Sequence, residues 1–204
     1  MNETRQTKNQ NVKKFGPGNK ESWDFINKLN MKCYNTIRGM NDENNLKRIL
    51  FFNTYSGNCG FEAMKNVTIP NYKYVALSVN SYAPYFFTMN RGEKSNHKFP
   101  GKSGNGIDHE DRVLSSFKDI AAVMRMKNIE VVITEFGSVN FNNLEDRIRW
   151  IELYLGCAKD FDVKCFLWDD VKPKRFAVFD RANNKFFPQT ESYVDKMIEI
   201  VNQK

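Results

Sequence analysis

The 204-residue sequence predicts an α/β fold in which helices cover a mostly parallel sheet. Short, continuously apolar runs of strand length alternate with amphipathic stretches of helix length, a strand and then a helix, four times over. Polar or aromatic residues stand where those runs end: Asn53-Thr54-Tyr55, Asn80-Ser81-Tyr82, Glu135 and Trp168-Asp169. No Gly-rich phosphate fingerprint follows any run, which weakens the dinucleotide-binding version of an open sheet. The pattern alone leaves two architectures, the doubly wound sheet and the (β/α)8 barrel. In a barrel all the strand ends converge on one mouth, where active sites lie.

The elements follow in order. Lys20 to about Arg38 reads as a helix with Ile26, Leu29, Cys33 and Ile37 on one stripe. Arg48–Phe52 has the length of a short strand, and a brief helix is expected over Phe61–Lys65. Tyr74–Val79 is the next strand. Ala83 to Gly106, rich in Gly, Pro, Lys and Asn, reads as a long loop, and loops of that length in compact domains tend to be functional or disordered. Ile107–Lys127 is a helix with Val113, Phe117, Ile120 and Met124 as its buried stripe. Asp108, Glu110 and Asp111 sit in its first turns, where they favour the helix dipole. Glu130–Thr134 is a strand rich in β-branched residues. Asn143 is placed to cap a helix whose apolar positions are Leu144, Ile148, Ile151, Leu155 and Ala158. Val163–Trp168 is a strand, and a last helix starts near Pro188 and buries Val194, Met197 and Val201.

Composition bounds the function. With 41% hydrophobic and 27% charged residues the chain is ordinary for a soluble globular protein and is most simply one domain. No stretch reaches the roughly 18 apolar residues of a membrane helix, so no membrane partner is expected. The first twenty residues have no apolar core of a signal peptide. The net charge of +7 comes without a continuous basic helix, zinc-finger spacing or RNP-like motif, so no nucleic-acid partner is expected. Cys33, Cys59, Cys157 and Cys165 are scattered, which argues against zinc and suits small buried hydrophobes at 157 and 165. His97 and His109 have no metal-ligand partner at useful spacing and read as surface residues; no metal and no cofactor is expected.

Glu135 is the strongest single candidate for chemistry. A carboxylate directly after Val131-Val132-Ile133-Thr134 is costly to bury without a partner. It is either a catalytic acid at a strand end or a structural acid paired with an arginine. Glu3, two residues after Met1, reads on its own as part of a solvated tail. Tyr82, Tyr85, Phe86, Phe87 and Trp168 form an aromatic group near the same strand ends. Core packing accounts for Phe86 and Phe87, whereas Trp168 suits the C–H face of a sugar ring. Tyr82 is placed to donate its phenolic hydrogen bond to Glu135.

These motifs, in this order, resemble glycoside hydrolase family 5, the endoglucanase-like retaining β-glycosidases. Asn2-Glu3-Thr4-Arg5 is similar to the family's Asn-Glu-Pro-Arg at the end of the fourth strand. Asn80-Ser81-Tyr82-Ala83-Pro84-Tyr85-Phe86 is similar to its His-x-Tyr-x-Pro segment after the sixth. Ile133-Thr134-Glu135-Phe136-Gly137 matches the seventh-strand nucleophile motif, and Trp168-Asp169-Asp170 resembles the eighth-strand Trp-Asp-Asn.

The resemblance implies a partial TIM (β/α)8 barrel, from the end of strand 4 through strand 8 with their helices. It implies a single partial barrel domain over 1–204 that lacks the N-terminal half, with strands one to four expected ahead of Glu3. Glu135 would be the nucleophile and Glu3 the acid/base. Asn2 would bond the sugar 2-hydroxyl, Asn80 would stand in the substrate site, Tyr82 would orient Glu135, and Trp168 would stack under the sugar. The implied partner is a β-1,4-linked glucan, as polysaccharide or oligosaccharide, hydrolysed by double displacement between carboxyls about 5–5.5 Å apart.

Three residues depart from the family pattern: Thr4 for Pro, Asn80 for a titratable His, and Asp170-Val171 for Asn-Gly. The family is mostly secreted. Unpaired sheet edges predict self-association. A second implied reading is an inactive half-barrel that binds carbohydrate, or one that needs a complementing half or a dimer partner.

Overall fold

The structure, a computed structural model, describes residues 2–5, 15–70, 73–172 and 175–203. In chain order its elements are α1 (Lys20–Gly39), α2 (Glu43–Lys47), β1 (Leu50–Asn58), α3 (Phe61–Lys65), β2 (Val75–Asn80), α4 (Tyr85–Thr88), α5 (His109–Lys127), β3 (Val131–Phe136), α6 (Leu144–Asp160), β4 (Lys164–Leu167), β5 (Phe179–Asp180), β6 (Lys185–Phe186) and α7 (Glu191–Asn202), the last entered through a 3-10 turn at Pro188–Thr190. A four-stranded parallel sheet runs in the order β1-β2-β3-β4, and β5 and β6 form a separate antiparallel hairpin. Sequential strands as neighbours, each joined through a helix, are what repeated right-handed βα units produce. The described residues fall into two compact units, Met1–Ser81 with Asp119–Thr134, and Tyr82–Lys118 with Glu135–Lys204.

In the first unit β1 pairs in parallel with β2, Leu50 opposite Val75 through Asn53 opposite Ser78, and the register then shifts so that Asn58 faces Asn80. The strand therefore runs past the predicted Phe52. Its polar end reads as loop by composition, yet it is buried, with hydrogen bonds from neighbouring elements to part of it, while the Thr54 hydroxyl is buried without a partner among the described residues. Asn30 of α1 supplies some of these, donating to Asn53 O (2.9 Å) and accepting from Asn53 N (3.4 Å). This shifts the buried stripe of α1 to Ser22, Ile26 and Asn30, so Cys33 is exposed rather than packed. Phe52, Leu77, Val79, Ile120, Val131 and Ile133 are buried apolar residues of this unit.

In the second unit the core of α6 is aromatic. Trp150, Tyr154, Phe117 and Phe136 pack with ring centroids 5.0–6.4 Å apart. The stripe of α6 is rotated from the predicted one: Arg147, Trp150, Ile151, Tyr154 and Leu155 are buried, while Leu144 and Ile148 are partly exposed. In α7 the buried residues are Tyr193, Val194, Met197 and Ile200, and the expected core residue Val201 is 71% exposed. Asn143 stands at the N-cap of α6 but does not cap with its side chain; its amide donates to His97 O at 2.7 Å.

His109 corrects the surface reading. It is fully buried, bonded through Nδ1 to Lys98 O (3.1 Å) and through Nε2 to Ser103 Oγ (3.2 Å). Burial holds its pKa below the usual imidazole value, against the raising effect of the Lys98 carbonyl. Asp108 does what a helix-start acid does, accepting from Glu110 N and Asp111 N at 3.1 and 3.3 Å. No helix among the described residues is long and apolar enough to cross a membrane, and none of them gather into a cluster of three or more potential metal ligands.

Candidate active site

Two groups of polar side chains stand at strand ends, one in each unit. In the first unit the segment around Glu3 is tied to the end of β1. Ser56 N donates to Thr4 O at 3.0 Å, and the Ser56 hydroxyl donates to Gly16 O at 2.9 Å. Glu3 itself takes a left-handed backbone conformation, φ 41°. So Glu3 is anchored by neighbours rather than lying in a free tail.

Asn80, at the end of β2, links to it. Its Nδ2 donates to Glu3 Oε1 at 3.2 Å and approaches Asn2 Oδ1 at 3.5 Å. Its Oδ1 accepts from the Thr134 hydroxyl at 3.1 Å, and Thr134 shares a 2.8 Å hydrogen bond with the Ser78 hydroxyl. The Glu3 Oε1 acceptor calls for the Nδ2 end of the amide, and the Thr134 hydroxyl, which also lies 3.2 Å from Val79 O, meets the Oδ1 end. The chain Ser78–Thr134–Asn80–Glu3 thus orients a neutral donor at the carboxylate, in the place where the resemblance expects a titratable histidine.

Gly57 makes this packing feasible. It has φ 66°, and a Cβ there would meet Asn80 Nδ2 at 3.1 Å and Glu3 Cγ at 3.4 Å. Sequence reading missed Gly57, Ser78 and Thr134. The one available signal was the glycine at the end of an otherwise polar run.

In the second unit Tyr82 donates its hydroxyl to Glu135 Oε2 at 2.9 Å, as expected. The Tyr82 ring packs on Phe176 with centroids 5.6 Å apart. Phe176 also lies 3.2 Å from where a Cβ on Gly137 would sit, so a side chain at 137 would displace the ring that supports Tyr82. Phe176 had no signature in the sequence, because its role depends on a contact nearly a hundred residues away. Trp168 follows β4, its backbone N–H bonded to Phe136 O at 2.8 Å, and its side chain is 39% exposed. Phe87 is buried as expected, and Tyr85 is exposed.

The loop after Trp168 is held by two aspartates. Asp169 accepts from the N–H groups of Val171, Val178 and Phe179 and pairs with Arg181 at 3.2 Å. Burial opposes its ionisation, but these donors and the Arg181 charge outweigh that and hold its carboxyl below the usual range. Asp170 pairs with Arg175 at 3.2 Å. Val171, where the resemblance expects glycine, nevertheless takes the left-handed conformation, φ 60°.

Behind the Glu135 strand, Arg147 is 1% exposed. Its Nε donates to Ser138 Oγ at 3.0 Å and its Nη2 to Ser138 O at 3.2 Å. Its guanidinium lies 4.3 Å from the centre of the Tyr193 ring. Burial pulls its pKa below the ordinary arginine value, with Tyr193 opposing. The segment leaving Glu135 is therefore gripped by a buried cation that no amphipathic pattern marks.

Comparisons with known proteins agree on the lineage. The family described as Cellulase (glycosyl hydrolase family 5) matches residues 1–172. Endoglucanase B of Neocallimastix patriciarum is 34% identical over 170 residues, which cover 81% of this chain and 34% of that protein. Endoglucanase A of Ruminococcus albus is 29% identical over 188 residues, 89% of this chain and 50% of that one.

Among solved structures, a GH5-4 broad specificity endoglucanase from Ruminococcus flavefaciens aligns with a TM-score of 0.86 at 30% identity, over 100% of this chain and 58% of that chain. A GH5 xyloglucan-specific endo-beta-1,4-glucanase from a metagenomic library, in complex with cellotriose, aligns with a TM-score of 0.85 at 28% identity, over 98% and 56%. The chain thus spans between a third and a half of the length of these curated relatives. The four-stranded parallel sheet with its helices is a partial TIM barrel.

Proposed function

This chain belongs to glycosyl hydrolase family 5, and we propose that it acts on β-1,4-linked glucans by a retaining double displacement. Glu135 is the nucleophile and Glu3 the acid/base. The observation that carries the reading is the 2.9 Å hydrogen bond from Tyr82 to Glu135, which orients the carboxyl group at the end of a parallel strand. In the first step a Glu135 oxygen bonds to the anomeric carbon, the glycosidic C–O bond breaks, and Glu3 gives its proton to the leaving oxygen. In the second step Glu3 takes a proton from water, the water oxygen bonds to the anomeric carbon, and Glu135 leaves with net retention.

Asn80 supports the role of Glu3 by holding one carboxyl oxygen, which leaves the other to meet the leaving group. Asn2 serves the sugar 2-hydroxyl, and Trp168 offers a partly exposed aromatic face for a sugar ring. The test is hydrolysis of carboxymethyl-cellulose, mixed-linkage glucan and xyloglucan, with Glu135→Ala and Glu3→Gln as controls. Turnover that persists in Glu135→Ala refutes the assignment.

A second reading draws on coverage. Because the chain corresponds to 56–58% of the solved relatives, it is a partial barrel that binds glucan and turns it over only with a complementing half or a second copy through its sheet edges. Size-exclusion chromatography beside the activity assay separates the two readings: an active monomer excludes the second.

A further inference from the structure

A cavity of about 420 Å³ in the second unit is lined by Arg91, His97, Asn140, Phe141 and Asn142. These residues come from the segments after β2 and β3. The volume is within the range of small-molecule sites and suits one or two sugar rings.

Its walls are built in advance. Asn142 N donates to Asn140 Oδ1 at 3.0 Å, Phe141 N donates to Asn143 Oδ1 at 3.2 Å, and Asn142 holds a left-handed turn at φ 59°. The His97 ring stacks on Phe141 at 3.6 Å and 18°. Its Nδ1 lies 3.1 Å from Phe87 O, and since a carbonyl only accepts, Nδ1 carries the proton. In the neutral ring that leaves His97 Nε2 as an acceptor. The Arg91 guanidinium sits over the Phe141 ring at 5.3 Å.

The groups left over define the ligand. Among the described residues Arg91 has no carboxylate within 4.0 Å and no hydrogen bond, and the Asn140 Nδ2, the Asn142 amide and His97 Nε2 are likewise without protein partners. A single permanent cation with a planar fork matches one carboxylate. A phosphate dianion or a polynucleotide would call for more positive charge than this lining offers. Two amides and an imidazole acceptor match vicinal hydroxyls.

We propose that this cavity binds a uronic-acid residue of a glycan, its carboxylate on the Arg91 fork and its hydroxyls on Asn140, Asn142 and His97. The inference rests on the glucan-acting reading for the sugar part of the ligand, and it gives this chain a preference for acid-substituted glycans. The fixed turn and the ring stack lower the ordering cost of binding.

The experiment is an NMR titration of the whole chain with methyl β-glucuronide, methyl β-glucoside and acetate, following the Arg91 Nε–H and the Asn140 and Asn142 side-chain amides. The glucuronide is expected to bind at least about tenfold more tightly than either control. Arg91→Ala should remove that preference, Arg91→Lys should keep part of it, and added salt should weaken it. Arg91 is exposed, so the variant folds, and an unchanged melting temperature checks this. Equal binding of glucuronide and glucoside, acetate binding as tightly as glucuronide, or Arg91→Ala without effect overturns the proposal. The readout is binding, so failure of hydrolysis in the Glu135 test leaves this result interpretable on its own.

Discussion

Truncating Arg147 to alanine is expected to destabilise the protein by about 4 kcal/mol, and the figure can be assembled from its contacts. The guanidinium makes two hydrogen bonds to Ser138, at 3.0 and 3.2 Å, and lies 4.3 Å from the Tyr193 ring centre. A desolvated cation–π contact contributes about 2 kcal/mol. Hydrogen bonds to a charged group contribute roughly 1.5–3 kcal/mol each. The cavity left by the lost side chain adds to the cost.

Against these stands the desolvation of a cation whose Nη1 is buried without a partner and which has no carboxylate within 4.0 Å among the described residues; removing the charge gives part of this back. The net falls near 4 kcal/mol, a melting-temperature drop of roughly 8–16 °C for a chain of this size. Urea unfolding with a thermal scan measures it. Arg147→Met separates charge from volume: it fills the space and leaves the Ser138 oxygens without their donors, so it should recover less than half of the loss. If Arg147→Ala unfolds within 1 kcal/mol of the wild type, the buried cation does not anchor the segment after Glu135 and the reasoning fails.

Three more expectations follow from the same geometry. Tyr82→Phe removes the 2.9 Å bond to Glu135 and should lower kcat/KM by roughly 10- to 100-fold with little change in melting temperature, read in steady-state assays on a soluble glucan. Gly57→Ala places a Cβ 3.1 Å from Asn80 Nδ2 at φ 66°; it should cost about 1 kcal/mol or more by denaturant titration, and a crystal structure should show Asn80 displaced from Glu3. The fold favours ionised Asp169, so its stabilisation is complete above the ordinary carboxylate range and declines as pH falls below about 4. Asp169→Asn should therefore lower stability at neutral pH and flatten the acid limb of a melting-temperature profile.

Much of the candidate site was legible in the chain. A carboxylate closing an apolar β-branched run, a tyrosine placed to meet it and a tryptophan after a later strand are local patterns, and the Tyr82–Glu135 bond formed as expected. Most of what sequence reading missed has one cause. Cys33 lost its core position to Asn30, and His109 and Arg147, neither placed in the core by the apolar pattern, proved buried. Helical periodicity assigns the buried face by hydrophobicity, yet a polar side chain is buried when distant backbone or hydroxyl groups satisfy it. Those partners lie outside any local window: Asn53 for Asn30, Lys98 and Ser103 for His109, Ser138 for Arg147.

The sequence by itself determined the alternation of the four main strands with their longer helices, the parallel character of the sheet and the residue types at the strand ends, though not the short elements α2, α4, β5 and β6, because periodicity and strand-end chemistry are written locally. Tertiary structure alone decided which end of the Asn80 amide faces Glu3, that Phe176 supports Tyr82, and that Val171 takes a left-handed conformation. Each of these depends on groups brought together by folding, and orientation at a site is set by such long-range contacts rather than by neighbours along the chain.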